Sequence, residues 1–364
     1  MLGPATSALL TTDKPPRPRR WIPLSLRMFV VLLVLGGVAG AFWVRTCIRE
    51  RRAIAQLKEV GAEVQQRFVG PRWMTWSTLL PDPDWCTRAW GVKLHEEESA
   101  GSQLALISEL PYLEMVSLKD VPVAGDNLRL LTSCSKLRVL ELNGTGVNDD
   151  ALAFLPMHTS LERIYLSGTA IGDRGLAQLA LLPNLKILTI DGTLVTDECT
   201  HSLCAINGLE KLTMCGTQIH DVAAARLRRL TRLRRLRLAG TQITDDCMRE
   251  LSELRSLEVL DLSGTRITGR GIANLGRLPH LQCLSLRKTT LNDHDTADVA
   301  SLKGLRMLEI GETAITANGA ERLREALPLC HVDNAFNLSI RIRQGHAGYW
   351  TWQQNWEGEE DISP

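Results

Sequence analysis

From residue 137 to 318, apolar and polar positions follow one figure that returns every 24 residues. LRVLELNGTGVNDD (137–150) is followed by LERIYLSGTAIGDR (161–174), LKILTIDGTLVTDE (185–198), LEKLTMCGTQIHDV (209–222), LRRLRLAGTQITDD (233–246), LEVLDLSGTRITGR (257–270), LQCLSLRKTTLNDH (281–294) and LRMLEIGETAITAN (305–318). Self-similarity at such a period marks a solenoid, in which each unit buries its apolar face against the next. The LxL at the centre of each unit predicts a short strand with its leucines on one side. Behind it, apolar residues fall at helical spacing, as in Ala151, Leu152 and Leu155, or Ala223, Leu227 and Leu230. Asp149, Asp173, Asp197, Asp221, Asp245 and Asp293 stand just ahead of that stretch, where an N-cap or first-turn acid belongs. The expected fold class is α/β: a right-handed solenoid over about 105–337, with roughly ten parallel strands on a concave side and helices on a convex side.

The figure LxxLxLxxTx(I/V/L) resembles the leucine-rich repeat, with threonine where many members carry Asn or Cys. Thr145, Thr169, Thr193, Thr217, Thr241, Thr265, Thr289 and Thr313 recur without one insertion. They are expected to turn inward and satisfy backbone groups at the bend after each strand. LPLCHV (327–332) is expected to close the array.

Ahead of the repeats, residues 28–44 (MFVVLLVLGGVAGAFWV) hold no charge and run between Arg27 and Arg45, with Trp21 and Trp43 placed like interfacial anchors. At 1.5 Å per residue they reach roughly 26 Å, the short end for a transmembrane helix. A cleaved signal peptide is the alternative, with small residues at Ala39-Gly40-Ala41. The long polar lead and long apolar stretch argue against it. The implied organisation is a basic Pro/Arg-rich tail (1–27), a transmembrane helix (28–44), a juxtamembrane helix (45–66), a Trp-containing junction and cap (67–104), the solenoid (105–337) and a Trp-rich tail (338–364). That tail is either a capping strand or a disordered end. With Arg19-Arg20-Trp21, Arg49 to Arg52, Gly61 and Trp85, the amino-terminal half is similar to the membrane-anchored leucine-rich-repeat proteins of planctomycete bacteria, a family that implies no catalytic residues. Basic residues flank the span almost equally, so orientation rests on the short tail staying cytoplasmic, which places the repeats outside. Nine cysteines without a disulfide pattern pull the other way.

Charge decides between readings of RLRRLTRLRRLRL (226–238), where seven arginines fall within Arg226–Arg237. Such density suggests nucleic acid or anionic lipid. The chain's net charge is only +1, however, and the run falls across a repeat boundary. Arg226, Arg228, Arg229 and Arg232 belong to a helix and its exit; Arg234, Arg235 and Arg237 belong to a strand. The column after the first strand leucine reads Glu114, Arg138, Glu162, Lys186, Glu210, Arg234, Glu258, Gln282, Arg306. Its sign alternates over the seven repeats from Glu114 to Glu258, so Arg234 is expected to be one rung of a ladder of opposite charges. No nucleic-acid role follows.

No catalytic motif is legible. There is no phosphate-binding loop or nucleophile elbow, and His95-Glu96 has Ser99 where a second zinc ligand would stand. Cys199 and Cys204 lack zinc-site spacing, and Cys199 shares its column with Ala, Gly and Cys247, which suits a small buried residue. Asn292-Asp293-His294-Asp295 is ligand-rich but sits in a strand-to-helix turn. No metal, cofactor or enzyme activity is expected. The expected function is a membrane-anchored scaffold or receptor that binds a protein through its concave face, with an acidic partner suggested by Lys211, Arg235 and Arg237. Tyr165 and Asp261 complete the candidate binding set. The alternative is a regulatory subunit of an enzyme, or a hydrolase whose site is not legible.

Overall fold

In a computed structural model of the chain, residues 45–68, 87–95, 100–123 and 125–334, with Val38, are described. The chain divides into two compact units, Met1–Ile48 and Arg49–Pro364. The described residues of the first unit are helical. Apart from Val38, the expected membrane span lies outside the described residues, as do the expected tails 1–27 and 338–364. Among the described residues, no helix is long and apolar enough to cross a membrane.

The second unit begins with helix α1 (49–59), which buries Ala53, Ile54 and Leu57. The helix expected over 45–66 stops short of its predicted end. At Gly61 the backbone turns left-handed (φ 83°), Ala62 N–H donates to the Leu57 carbonyl, and Gly61 N–H donates to that of Lys58. This glycine-centred cap ends the helix by satisfying its last carbonyls. The chain continues as strand β1 (Glu63–Phe68), antiparallel to β2 (Thr87–Lys93), and helix α2 (Ala100–Ile107) follows.

Ten three-residue strands then recur: β3 (Met115–Ser117), β4 (Val139–Glu141), β5 (Arg163–Tyr165), β6 (Ile187–Thr189), β7 (Lys211–Thr213), β8 (Arg235–Arg237), β9 (Val259–Asp261), β10 (Cys283–Ser285), β11 (Met307–Glu309) and β12 (His331–Asp333). All twelve strands form one sheet in chain order, parallel from β2 onward. β2 already pairs with β3 at the 24-residue offset, Gly91 against Met115. The repeat register therefore begins inside the expected cap, before residue 105. The central residue of each strand, such as Leu188, Leu212, Leu236 and Leu260, is wholly buried and belongs to a single core running from Ala53 to Val332.

The threonine column behaves as expected. Each hydroxyl from Thr145 to Thr313 donates to the carbonyl three residues earlier, at 2.5–2.7 Å. The preceding column is Gly144, Gly168, Gly192, Gly216, Gly240 and Gly264, all at φ 62–69°, a conformation that costs L-residues about 1–2 kcal/mol. Lys288 and Glu312 hold the same conformation in the last two repeats.

Asp149, Asp173, Asp197, Asp221 and Asp245 are first-turn acids, each the first residue of a helical segment whose N-cap is Asn148, Gly172, Thr196, His220 or Thr244. Asp293 stands ahead of its segment, Thr296–Ala300. Beyond that expectation, these carboxylates reach the N-cap of the next repeat. Asp221 accepts from Thr244 N–H (2.7 Å) and Oγ1 (2.7 Å), and Asp245 accepts from Thr268 N–H (2.8 Å) and Oγ1 (2.5 Å). Asp149, Asp173, Asp197 and Asp293 likewise reach Gly172, Thr196, His220 and Thr316.

The return segments are also shorter than full α-helices. Gly125–Ser133 and Asp149–Met157 are 3₁₀, and Asp173–Leu179 is a short α segment. Strands stack about 4.8 Å apart, whereas an α-helix with side chains needs roughly 10 Å. Tight 3₁₀ turns with small inner residues (Gly175, Cys199, Ala223, Cys247, Gly271) suit that spacing better.

Candidate functional site

The two outer residues of each strand point away from the core and form two columns on the open face of the sheet. One runs Val139, Arg163, Ile187, Lys211, Arg235, Val259, Cys283, Met307; the other runs Glu141, Tyr165, Thr189, Thr213, Arg237, Asp261, Ser285, Glu309. Lys211 and Arg235 are register partners on β7 and β8, and Arg237 pairs in register with Asp261 on β9. Tyr165 stands three strands from Arg237, about 14 Å away at normal strand spacing. The expected binding set thus divides into a β7–β9 cluster and an outlying tyrosine.

Two expectations need correction. Lys211 and Asp261, expected on an exposed surface, are buried. Arg237, expected to await an acidic partner, has one within the chain, with its Nε 3.0 Å from Asp261 Oδ2. Asp261 Oδ1 also accepts from Ser263 N–H (3.0 Å) and Oγ (2.6 Å). The Ser263 and Ser285 hydroxyls lie 2.8 Å apart, and Ser285 donates to Glu309 (3.0 Å). This network crosses β8 to β11. Beside it, the buried Thr213 hydroxyl has no hydrogen-bond partner among the described residues.

A family model described as Leucine Rich repeat matches residues 158–180 and 253–276, each running from the end of one return through a strand and into the following return. The solenoid is built of leucine-rich repeats. Among solved structures, the chain is similar to an internalin (inlF) from Listeria monocytogenes, at 20% identity and TM-score 0.49, covering 64% of this chain and 70% of that one. It is similar also to internalin C2 from the same organism (23% identity, TM-score 0.47, 58% and 84% covered). A third similar structure is the Arabidopsis receptor kinase HAESA in complex with the peptide hormone IDA and the co-receptor SERK1 (19% identity, TM-score 0.46, 58% and 36% covered). The sequence matches no curated protein. The repeat assignment rests on the family match and on the 24-residue architecture.

Along the leucine-rich repeats, the alternating charges pair as expected over part of their length. Arg138 meets Glu162 at 2.9 Å and Glu114 at 4.0 Å, Lys186 meets Glu162 at 3.0 Å, and Arg234 meets Glu258 at 3.6 Å. Arg67 of β1 also pairs with Glu114, extending the ladder one strand beyond the repeats. Against the opposing effect of partial burial, hydrogen bonds from Lys186 and Arg138 hold the Glu162 carboxyl below its usual range. Within the arginine-rich stretch, Arg226 bonds Thr200 Oγ1 (3.0 Å) and Arg228 meets Glu253 (3.9 Å), on the helical side. Strand arginines and helical arginines therefore address different surfaces.

The other candidates resolve into structure. Asp293 is taken by Thr316 of the next repeat, while Asp295 accepts from Asn292 N–H (2.9 Å) and Gly269 N–H (3.1 Å). Among the described residues, no group of three or more His, Cys, Asp or Glu could hold a metal. The eight described cysteines are free thiols. Burial pushes Cys134 and Cys283 up to about 11 and Cys215 to about 12, so at neutral pH they are small apolar groups rather than nucleophiles. His158, overlooked in the sequence, is buried with neither ring nitrogen hydrogen-bonded. Only its break in an otherwise apolar column signals it.

Proposed function

We propose that this protein is a single-pass, membrane-anchored scaffold that binds a protein partner through the open face of its leucine-rich-repeat sheet. The supporting observation is the face itself: ten parallel strands hold two columns of charged, apolar and aromatic side chains at fixed steps away from the core. Extended surfaces of this kind are what repeat solenoids use for binding. The Lys211–Arg235 pair on β7 and β8 favours an acidic partner. The anchor rests on the uncharged stretch 28–44 and on the likeness of the amino-terminal half to planctomycete membrane-anchored repeat proteins. The repeats are assigned to the extracytoplasmic side, and no catalytic step is assigned.

Affinity capture with the full chain in detergent, followed by charge reversal, tests the face. Arg235→Glu should weaken the captured partner at least tenfold, more so at low salt. Arg234→Glu, on the ladder, should leave binding within twofold. Equal loss from both would reject the open face as the contact. Protease protection in sealed membranes tests the assigned side: repeats digested only after lysis from without would overturn it.

A further inference from the structure

Three helical arginines of the run 226–238 come together on the return segments, away from the strands. Arg226, Arg228 and Arg229 line a cleft of about 620 Å³, and His201 and Cys204 of the preceding return line it with them. Two consecutive returns therefore build it, Thr200–Leu203 with Cys204, and Asp221–Arg226 continuing through Leu227–Arg229. A cavity of this size lies within the usual range for small-ligand sites.

One of the arginines is fixed in place. Arg226 Nη1 donates to Thr200 Oγ1 (3.0 Å), and that hydroxyl is buried and donates in turn to the Asp197 carbonyl (2.9 Å). The Cys204 thiol donates to the Arg226 carbonyl (3.4 Å), which ties the two returns together at the cleft. A neutral hydroxyl orients the guanidinium but leaves its charge uncompensated. Among the described residues, neither Arg226 nor Arg229 forms an ion pair, and Arg228 has only Glu253, at 3.9 Å. Glu250 is the one acid lining the cleft among those residues; it stands one repeat on from Arg226 and does not pair with it. In the neighbouring cleft of about 480 Å³, by contrast, Asp245 and Asp246 answer Arg249, Arg270 and Arg277. Cys204 senses the excess: burial raises its pKa, while Arg229 and Arg226 pull it back down.

We propose that this cleft binds a phosphate-bearing anion, with Arg226, Arg228 and Arg229 as its cationic ligands and His201 as a further N–H donor. A planar guanidinium matches two phosphate oxygens at once, and an anion seated among the three would relieve their mutual repulsion. Thr200 is a positioning residue, acting through Arg226. The site does not use the open face of the sheet, so it stands independently of the binding-face reading. A free phosphate and the phosphomonoester headgroup of a lipid present the same chemistry to it.

Labelling of Cys204 with N-ethylmaleimide, read by peptide mass mapping on the full chain in mild detergent, tests the cleft from inside. The probes are inorganic phosphate and dioctanoyl phosphatidic acid, each compared with chloride at equal ionic strength. A bound anion blocks access and adds negative charge beside the thiol, so saturating probe should slow Cys204 about tenfold and leave Cys330 unchanged. Protection by inorganic phosphate assigns a free phosphate to the site, and protection by phosphatidic acid alone assigns a lipid headgroup. Protection by neither, or equal slowing of Cys330, overturns the proposal. Arg226→Gln with Arg229→Gln should weaken the protecting anion about tenfold or more, whereas Arg232→Gln, outside the cleft, should change it by less than about twofold. Protection retained in the double variant, or lost equally with Arg232→Gln, also overturns the proposal. Should the double variant lose its cooperative melting, Arg229→Gln alone decides, since that side chain bonds nothing among the described residues. Weaker protection in that variant supports the site, and unchanged protection overturns it.

Discussion

His158 stands in a column whose other members include Leu182, Ile206, Leu230, Leu254 and Leu278, and its N–H closes the same turn, donating to the Leu155 carbonyl at 2.8 Å. Its ring packs edge-on against Phe154 and is buried without hydrogen bonds. Burial lowers its pKa, against the opposing effect of the Cys134 backbone. A histidine with a lowered folded pKa contributes stability that is present above its unfolded value, about 6.5, and lost as pH falls through it. His158→Leu should therefore raise stability by about 1–2 kcal/mol at neutral pH, by removing orphaned polar atoms. It should also flatten the loss of melting temperature between pH 7 and 5. An unchanged slope would show that His158 does not carry that dependence. At the left-handed column, Gly240→Ala should cost about 1 kcal/mol in urea denaturation, because φ is 67° there. The threonines were legible in the sequence because their period is unbroken. The glycines carried the same signal for six repeats but were overlooked, since two later repeats replace them with Lys288 and Glu312.

The joints between repeats depend on the aspartate that reaches forward. Asp245 accepts two hydrogen bonds from Thr268, and Gly271 leaves room for it: a Cβ there would press on the Asp245 carboxylate. Bonds to a charged acceptor contribute about 1.5–3 kcal/mol, so Asp245→Ala should lower stability by about 2–3 kcal/mol. Thr268→Val, which keeps the backbone bond, should lower it by less. Equal losses would mean that the backbone bond adds nothing. The column breaks at Gly269, where Asp295 and Asp298 already occupy the space a side chain would need. Gly269→Asp should therefore destabilise rather than mend the joint, a sign checked by calorimetry. The acids could be placed at the helix start from sequence, but not assigned to the following repeat. Their partners lie 23 residues away and meet them only when units stack. By contrast, Arg234→Glu on the exposed ladder should cost at most about 1 kcal/mol.

Across the whole molecule, one core runs without a break from Ala53 to Val332. In a solenoid each repeat is held by its neighbours, so damage at one interface spreads along the array. Leu236 is wholly buried between Leu212 and Leu260. Leu236→Asp would bury an unpaired charge at a cost of several kcal/mol and should unfold the repeats on both sides of it. Circular dichroism within a degree or two of the parent melting curve would show that this position is not core.

The sequence by itself determined the period, the strand leucines, the inward threonines and the alternation of charge. All of these depend on residues a fixed distance apart in one repeating unit. Tertiary structure decided what depends on how units stack. The aspartates serve the next repeat because the stacking offset brings a neighbour's N-cap within reach. The 24-residue register extends back to β2, where the leucine figure has already faded but the backbone still pairs. Arg237 is neutralised by Asp261 because strand register places them side by side. Lys211 and Asp261 are buried although they stand in the outward columns, and no strand pattern encodes how far neighbouring side chains shield them.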